Sequence, residues 1–478
     1  MASTTSSYHL DPEGFRRVGG DVLDWVAGYL ASIESLPVQS SVEPGWVRAQ
    51  LPAHPPEEPE PWDVIIADLD RIIVPGLTHW QSPSFFGFFP ANASGPSVLG
   101  ELVSAGVGVQ GMLWATSPAC TELETHVLDW LVELLDLPAR FLSSGDGGGV
   151  IQDSASSATL CAILAARDRA RAGVGGDLRR LVAYASSEAH SSVEKGLRVA
   201  GLTADQLRVI DVDASYALRA DQLELAIETD VAAGLVPFMV VATVGTTSSM
   251  AFDPVATIGE IADRHSLWLH VDAAMAGSAA VVPELRLLVN AGLERADSWC
   301  FDPHKWLFTN FDCDVLFLAD RAPLIESLSV LPEYLRNQDS ARGAVIDYRD
   351  WHVPLGRRFR ALKLWFVLRH YGAAGLRHHL REHVAFAQWL AAELEADPRF
   401  DVLAAVELNL VCFALRDGDD ATESLLRAVN ATGDVYLTHT RLDGRFAIRA
   451  SIGQTTTERR HVDALWGLLS AKAAAGSL

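Results

Sequence analysis

Cysteine is scarce and scattered in this chain. The five residues, Cys120, Cys161, Cys300, Cys313 and Cys412, are odd in number and never spaced C-x-x-C. Neither a disulfide framework nor a zinc ribbon is expected, and a reducing cytoplasm fits best. Cationic charge is short as well: 38 Lys and Arg stand against 61 Asp and Glu, a net −23. Such a surface repels phosphate backbones, which argues against a nucleic-acid partner. No apolar run of membrane length survives inspection either. The longest uncharged stretch, residues 231–252, is broken by Pro237 and turns polar at Thr243, Thr246, Thr247, Ser248 and Ser249. It reads as a buried strand, and no membrane partner is expected. The opening residues MASTTSSYHLDPEGFRR lack an apolar core behind a basic start, so a secretory signal is not expected. What is present, 478 residues of which 49% are hydrophobic, excludes disorder and is enough for about three domains that need no staples.

Asp11-Pro12-Glu13 sets a cap, a first-turn proline and an acid before Phe15, Val18, Val22, Val26, Tyr29 and Ile33, which recur at helical spacing. An amphipathic helix is therefore expected to open the chain. Seven prolines between Pro37 and Pro61 interrupt any regular element and predict an extended segment that wraps a neighbour. The middle alternates β-type runs at 181–185, 238–244, 267–271 and 315–318 with alanine-rich helical stretches, the pattern of a buried, largely parallel sheet. After about residue 370 come long helices and then apolar runs at 410–415 and 446–452, consistent with a smaller α+β domain.

Three patterns invite over-reading. Gly106, Gly108 and Gly111 satisfy G-x-G-x-x-G, but no β-type run precedes them, so close packing is favoured over dinucleotide binding. His379 and His383 in RHHLREH have metal-ligand spacing, yet Arg377, Arg381 and Glu382 suggest a solvated helix face; no metal is expected. Ser192-Val-Glu-Lys195 matches S-x-x-K without the S-D-N and K-T-G that should accompany it.

Four other segments converge on one chemistry. The run 147–156 places three glycines and then Ser154, Ala155 and Ser156 before an alanine-rich helix, a candidate phosphate cradle. The apolar run LWLHV ends in Asp272, an acid at a strand end where open α/β sheets bind ligands. Lys305 lies between His304 and Trp306 in apolar surroundings, and a buried lysine without a partner loses its proton and becomes a nucleophilic amine. His190 follows another β-type run. A phosphate cradle, a carboxylate for a ring nitrogen and a desolvated lysine for an aldehyde are the fixtures that pyridoxal 5'-phosphate requires.

DPHKWLFTNFDC, THWQSPSFF, SPACTELET, HVDAAMAGSA and PLGRRFRALKLWFVLR resemble the aromatic L-amino acid decarboxylases, the pyridoxal phosphate enzymes that include dopa, tryptophan and tyrosine decarboxylases. The resemblance runs from about Phe15 to the C-terminus, in order and with few gaps. It implies an α/β protein of pyridoxal phosphate fold type I, like aspartate aminotransferase. Residues 95–369 would form a large domain around a mostly parallel seven-stranded sheet, and residues 370–478 a small α+β domain. Residues 1–94 would pack on the partner subunit of a homodimer with shared active sites. The resemblance assigns Lys305 to the cofactor aldehyde, Asp272 to the pyridine nitrogen and His190 to the ring face. It assigns Ser154, Ala155, Ser156, Ser298 and His304 to the phosphate end, with Thr247 and Ala274 lining the cofactor. Tyr334, in LPEYLRNQDS, matches the mobile-loop tyrosine that helps to protonate the reacting carbon. Related aldehyde synthases typically have phenylalanine there, so Tyr334 with His190 implies simple decarboxylation to an amine and CO2.

Substrate-side positions depart from the animal dopa decarboxylases. Their AYFPT is replaced by Gly87-Phe88-Phe89-Pro90-Ala91, beside Trp80, so two partners for ring hydroxyls are lost. Unpartnered buried hydroxyls cost about 1–3 kcal/mol each. Gly356 matches the glycine that accompanies indolic substrates in plant members. L-tryptophan, then L-phenylalanine, is the expected order, with dopa or tyrosine decarboxylation and aromatic acetaldehyde formation as alternatives. Gln110 and Met112 replace an isoleucine and a phenylalanine that the neighbouring subunit contributes in the animal enzymes. Asp302 replaces an asparagine near the phosphate; it is expected to weaken cofactor binding unless protonated, turned away or paired with a cation such as Arg358.

Overall fold

The structure is a computed structural model that describes residues 8–330 and 345–476. Two sheets organise it. The larger contains β1 (Gly148–Gln152), β2 (Leu181–Ser186), β3 (Leu207–Ile210), β4 (Val236–Thr243), β5 (Trp268–Asp272), β6 (Ser298–Phe301) and β7 (Asp314–Leu318), in the order β1-β7-β6-β5-β4-β2-β3. Neighbours from β6 through β3 are parallel, while β7 runs antiparallel to both β6 and β1. The mostly parallel seven-stranded sheet is thus present.

Successive residues of a strand point to opposite faces, and here both faces are covered. Val182 and Tyr184 of β2 enter the core under helices Pro118–Leu134 and Val255–His265, while Ala183 and Ala185 enter the core under helix Ala155–Arg171. That two-sided burial makes β2, β4, β5 and β7 legible as continuous apolar runs. β1, β3 and β6 were not expected, because two glycines open β1, the register of β3 is half-exposed, and β6 has only four residues.

The smaller sheet is antiparallel, in the order β10-β11-β9-β8, from β8 (Phe400–Val402), β9 (Leu410–Leu415), β10 (Thr438–Leu442) and β11 (Arg445–Ser451). Helices Asp419–Asn430 and Arg459–Gly476 pack on it. The helical segment Arg360–Ala396, interrupted at Gly372 where φ is 59°, lies beside both sheets.

The helix Pro12–Ser32 begins where the sequence places it, with Asp11 accepting from Gly14 N–H at 2.7 Å. Its Val18 is buried, whereas Phe15, Val22, Leu23 and Leu30 stay exposed. The proline-rich stretch holds a short helix, Trp46–Gln50, so it is not wholly extended; that interval of the stretch carries no proline. The glycine pattern at 106–111 closes a helix instead of opening one: Gly106 lies in Gly95–Val107 and Gly108 is its left-handed C-cap at φ 59°. Among the described residues no helix is long and apolar enough to cross a membrane.

Candidate active site

Parallel strands share a carboxyl edge, and the chain leaves the sheet there into the loops that carry the candidate residues. β1 leads to Ser154–Ser156, β2 to His190, β4 to Thr247, and β5 ends at Asp272, while β6 leads to Asp302–Lys305. These groups, together with Trp80, Phe88, Phe89, Pro90, Ala91 and Arg449 of β11, enclose a cavity of ≈ 410 Å³.

Lys305 Nζ lies 2.7 Å from Asp302 Oδ2 and 5.8 Å from the Phe89 ring centroid. The side chain of Asn92 fixes its backbone, donating to Lys305 O at 2.6 Å and to Gly453 O at 3.1 Å. The partnerless, deprotonated lysine expected from its apolar flanks is not what forms. Burial works against the ammonium, but Asp302, with Asp272 behind it, outweighs it and holds the pKa above its ordinary value. Asp302 finds its cation in Lys305 rather than in Arg358, which faces Glu101 at 3.6 Å. The other Asp302 oxygen is 3.4 Å from His304 Nε2, and His304 Nδ1 accepts from Cys313 N–H at 3.1 Å.

Asp272 is buried at the end of β5, its Oδ1 accepting from Ala274 N–H at 3.0 Å. Burial raises its pKa and Lys305 opposes the rise. His190 Nδ1 accepts from Ser192 N–H at 3.2 Å and lies 2.9 Å from Ser192 Oγ. Burial depresses its pKa, so the neutral ring carries its proton on Nε2.

Ser154, Ala155 and Ser156 line the cavity at the start of helix Ala155–Arg171, and Ser154 Oγ accepts from Ser157 N–H at 3.4 Å. First-turn N–H groups lack intrahelical partners and attract anions. The glycines before them do a different job. Gly148 and Gly149 lie inside β1, a Cβ on Gly147 would stand 1.9 Å from Arg140 O, and one on Gly149 would stand 2.8 Å from the Phe317 ring. The cradle begins after the strand, and the glycine run serves packing.

Ser298 is likewise displaced from its expected role. It starts β6 inside the sheet, where its hydroxyl accepts from Trp268 Nε1 at 2.8 Å and lies 2.9 Å from His270 Nδ1; it does not line the cavity. Thr247, Ala274 and His304 do line it, as do Trp80, Phe88, Phe89 and Ala91. Trp80 stacks on Phe88 at 5.5 Å between centroids. Gln110, Met112 and Gly356 are not among the lining residues: Gln110 Oε1 accepts from Arg357 N–H at 3.0 Å, and Met112 O from Arg349 N–H at 3.0 Å. Tyr334 lies outside the described residues.

Arg449 and Asn92 are among the contributors that escaped the sequence reading. Arg449 reaches the cavity with its guanidinium 5.3 Å from the Phe89 ring, donating to Thr247 O at 2.7 Å while its Nε has no acceptor among the described residues. A charge inside the apolar run 446–452 was the available signal. Asn92 had none. His378 and His379 lie beside Glu382 on the helix surface as expected, but His383 is buried and accepts from Trp306 Nε1.

An amine, a buried carboxylate and a helix N-terminus around a cavity of ligand size suit the aldehyde, ring nitrogen and phosphate of pyridoxal phosphate. Fold and donor set together define a fold-type I pyridoxal phosphate enzyme. The pyridoxal-dependent decarboxylase conserved domain matches residues 44–416, and the chain belongs to that family: it is a carboxy-lyase that uses pyridoxal phosphate. It is 45% identical to tryptophan decarboxylase 2 of Oryza sativa subsp. japonica, over 96% of this chain and 94% of that protein. It is 44% identical to the phenylacetaldehyde synthase of Arabidopsis thaliana, over 97% and 96%. The crystal structure of Oryza sativa TDC with PLP and tryptamine superposes with a TM-score of 0.96 at 40% identity, covering 98% of this chain and 99% of that one.

Proposed function

We propose that this enzyme removes the carboxyl group of an aromatic L-amino acid, L-tryptophan before L-phenylalanine, to release the arylalkylamine and CO2. The observation that carries this reading is the aromatic lining of the cavity: Trp80, Phe88 and Phe89 line it, Trp80 stacked on Phe88, and Arg449 stands beside Phe89. An aromatic side chain packs on such a wall, and a guanidinium orients a carboxylate.

When bound, pyridoxal phosphate supplies a conjugated ring that accepts the electron pair left by departing CO2. The helix start at Ser154, Ala155 and Ser156, with His304, holds the phosphate. Asp272 would keep a negative charge at the ring nitrogen, and neutral His190 would cover the ring face. Thr247 and Ala274 complete its border. Lys305 would supply the amine that holds the aldehyde. Arg449 would hold the substrate carboxylate and so orient the amino acid in the cavity. Tyr334, with His190 in support, delivers the proton to Cα.

The exposed apolar side chains of helix Pro12–Ser32, together with Leu99, Leu102 and Val103 of Gly95–Val107, support a homodimer in which residues 1–94 cover the partner. Gln110, Met112 and Gly356 would then reach the neighbouring cavity. Five buried, unpaired cysteines support a cytoplasmic location. Residues 95–369 and 370–478 are assigned as the large and small domains.

The test is one product ledger. Purified holoenzyme is given tryptophan, phenylalanine, tyrosine and dopa in turn, and amine, CO2, aldehyde and peroxide are quantified. Amine equal to CO2, with kcat/KM highest for tryptophan, is the expected result. Aldehyde and peroxide in place of amine would overturn the decarboxylase reading, and a preference for dopa would overturn the substrate.

A further inference from the structure

Three buried carboxyls, Asp272, Asp302 and Asp314, crowd around the one ammonium of Lys305. Asp314 is the first residue of β7, and the reversal of that strand brings it to the edge where β5 and β6 end. Its carboxyl is fully buried, and neither oxygen meets an N–H or O–H donor among the described residues. In the antiparallel register Phe301 stands opposite Val315, so the next residues, Asp302 and Asp314, face each other, and their carboxyls lie within hydrogen-bonding reach. Two ionised carboxylates have four acceptors and no donor, so one of them must carry a proton. Asp302 is poorly placed to be that one, because Oδ2 takes the Lys305 ammonium at 2.7 Å and Oδ1 faces His304 Nε2 at 3.4 Å.

We propose that Asp314 is a positioning residue that keeps its proton, donates it to Asp302, and thereby reserves the charge of Asp302 for Lys305 and that of Asp272 for the cofactor ring. Only the last part rests on the function proposed above. Charge counting supports it: with Asp314 neutral, Lys305 and Asp302 cancel and Asp272 alone awaits the ring nitrogen. With Asp314 ionised, a second negative charge would be buried without a partner, which proteins avoid by protonation. The other titratable groups around Asp314 are Cys161, Cys300 and Cys313, whose thiols burial pushes upward and keeps neutral. Burial, reinforced by Asp302, likewise holds the Asp314 carboxyl well above the usual carboxylate range.

Infrared spectra and lysine labelling of the apoprotein test this without reference to turnover. At pH 8 the wild-type apoprotein should show the C=O stretch of a protonated buried carboxyl. Asp253, which burial pushes up to about 6, is ionised at that pH and does not contribute. Asp314→Asn should remove the band. The pH dependence of Lys305 acylation, followed by peptide mapping, should be unmoved in Asp314→Asn, whose amide still donates to Asp302. In Asp302→Asn the Lys305 pKa should fall by about one unit or more. Asp314→Ser, a smaller donor, replaces the asparagine variant if that one does not fold. A wild-type spectrum without the band, a band that survives Asp314→Asn, or a Lys305 pKa that falls equally in both asparagine variants overturns the proposal. Failure of the proposed function looks different: the band and titration stay as described while holoenzyme releases no amine.

Discussion

The indole Nε1 of Trp306 donates to Nδ1 of His383 over 3.0 Å, tying the residue next to Lys305 to the long helical segment Arg360–Ala396. Both side chains are buried. Trp306→Phe leaves the His383 acceptor unsatisfied and should lower unfolding free energy by about 1–3 kcal/mol at pH 7 through that loss, plus the smaller ring volume. Denaturant titration of wild type and variant measures it.

The same histidine makes stability depend on pH. Burial first, and then neighbouring His379, bring the His383 pKa down to about 3, against about 6.5 in an unfolded chain. The folded state therefore binds fewer protons. Its advantage is complete above pH about 6.5 and is lost progressively as pH falls toward about 3. His270 and His352, each brought down to about 3, act in the same direction. His383→Gln, which can accept from Trp306 but cannot ionise, should show a shallower loss of stability between pH 7 and pH 5.

Lys305→Ala should abolish amine release, by more than about a thousandfold, with the circular dichroism spectrum unchanged. Asp272→Asn should cost about 10²–10³ in kcat, since an amide withdraws the buried charge from the ring nitrogen. Single-turnover kinetics of the two holoproteins separates these effects from cofactor loss.

Arg449→Gln should raise KM for every aromatic amino acid by about tenfold or more and leave pyridoxal phosphate affinity unchanged, because its guanidinium is assigned to the substrate carboxylate. The corresponding arylalkylamine, which has no carboxylate, should inhibit both forms equally. Unequal inhibition by the amine would show that Arg449 acts elsewhere.

Specificity should respond to restored hydroxyls. Phe88 and Ala91 both line the cavity, and Phe88→Tyr combined with Ala91→Thr should shift kcat/KM toward dopa relative to tryptophan by about tenfold, the worth of one to two buried hydrogen bonds. A substrate panel with the double variant decides.

Gly147→Ala should destabilise the fold by about 1–3 kcal/mol or more, because the new Cβ would stand 1.9 Å from Arg140 O and 2.6 Å from Leu318 O. Thermal unfolding of the apoprotein tests this. If the variant instead kept full stability and lost only phosphate affinity, the glycine run would belong to the cradle after all.

Chemistry carried by one residue beside an apolar run was legible in the linear chain: Asp272 after LWLHV, and Lys305 between His304 and Trp306. Strands β2, β4, β5 and β7 were legible for the same reason, since burial on both faces demands unbroken apolar sequence. The acidic net charge was legible too, because it sums over residues wherever they lie. Contacts between residues far apart in sequence were not legible. The ion pair of Asp302 with Lys305 in place of a free amine, the removal of Ser298 to Trp268 and His270, the arrival of Arg449 from the small sheet, and the meeting of Asp314 with Asp302 all depend on strand order and on the reversal of β7. Periodicity reports which face of an element is apolar; which neighbour that face meets, and so which charge a buried lysine finds, is decided only when the elements pack.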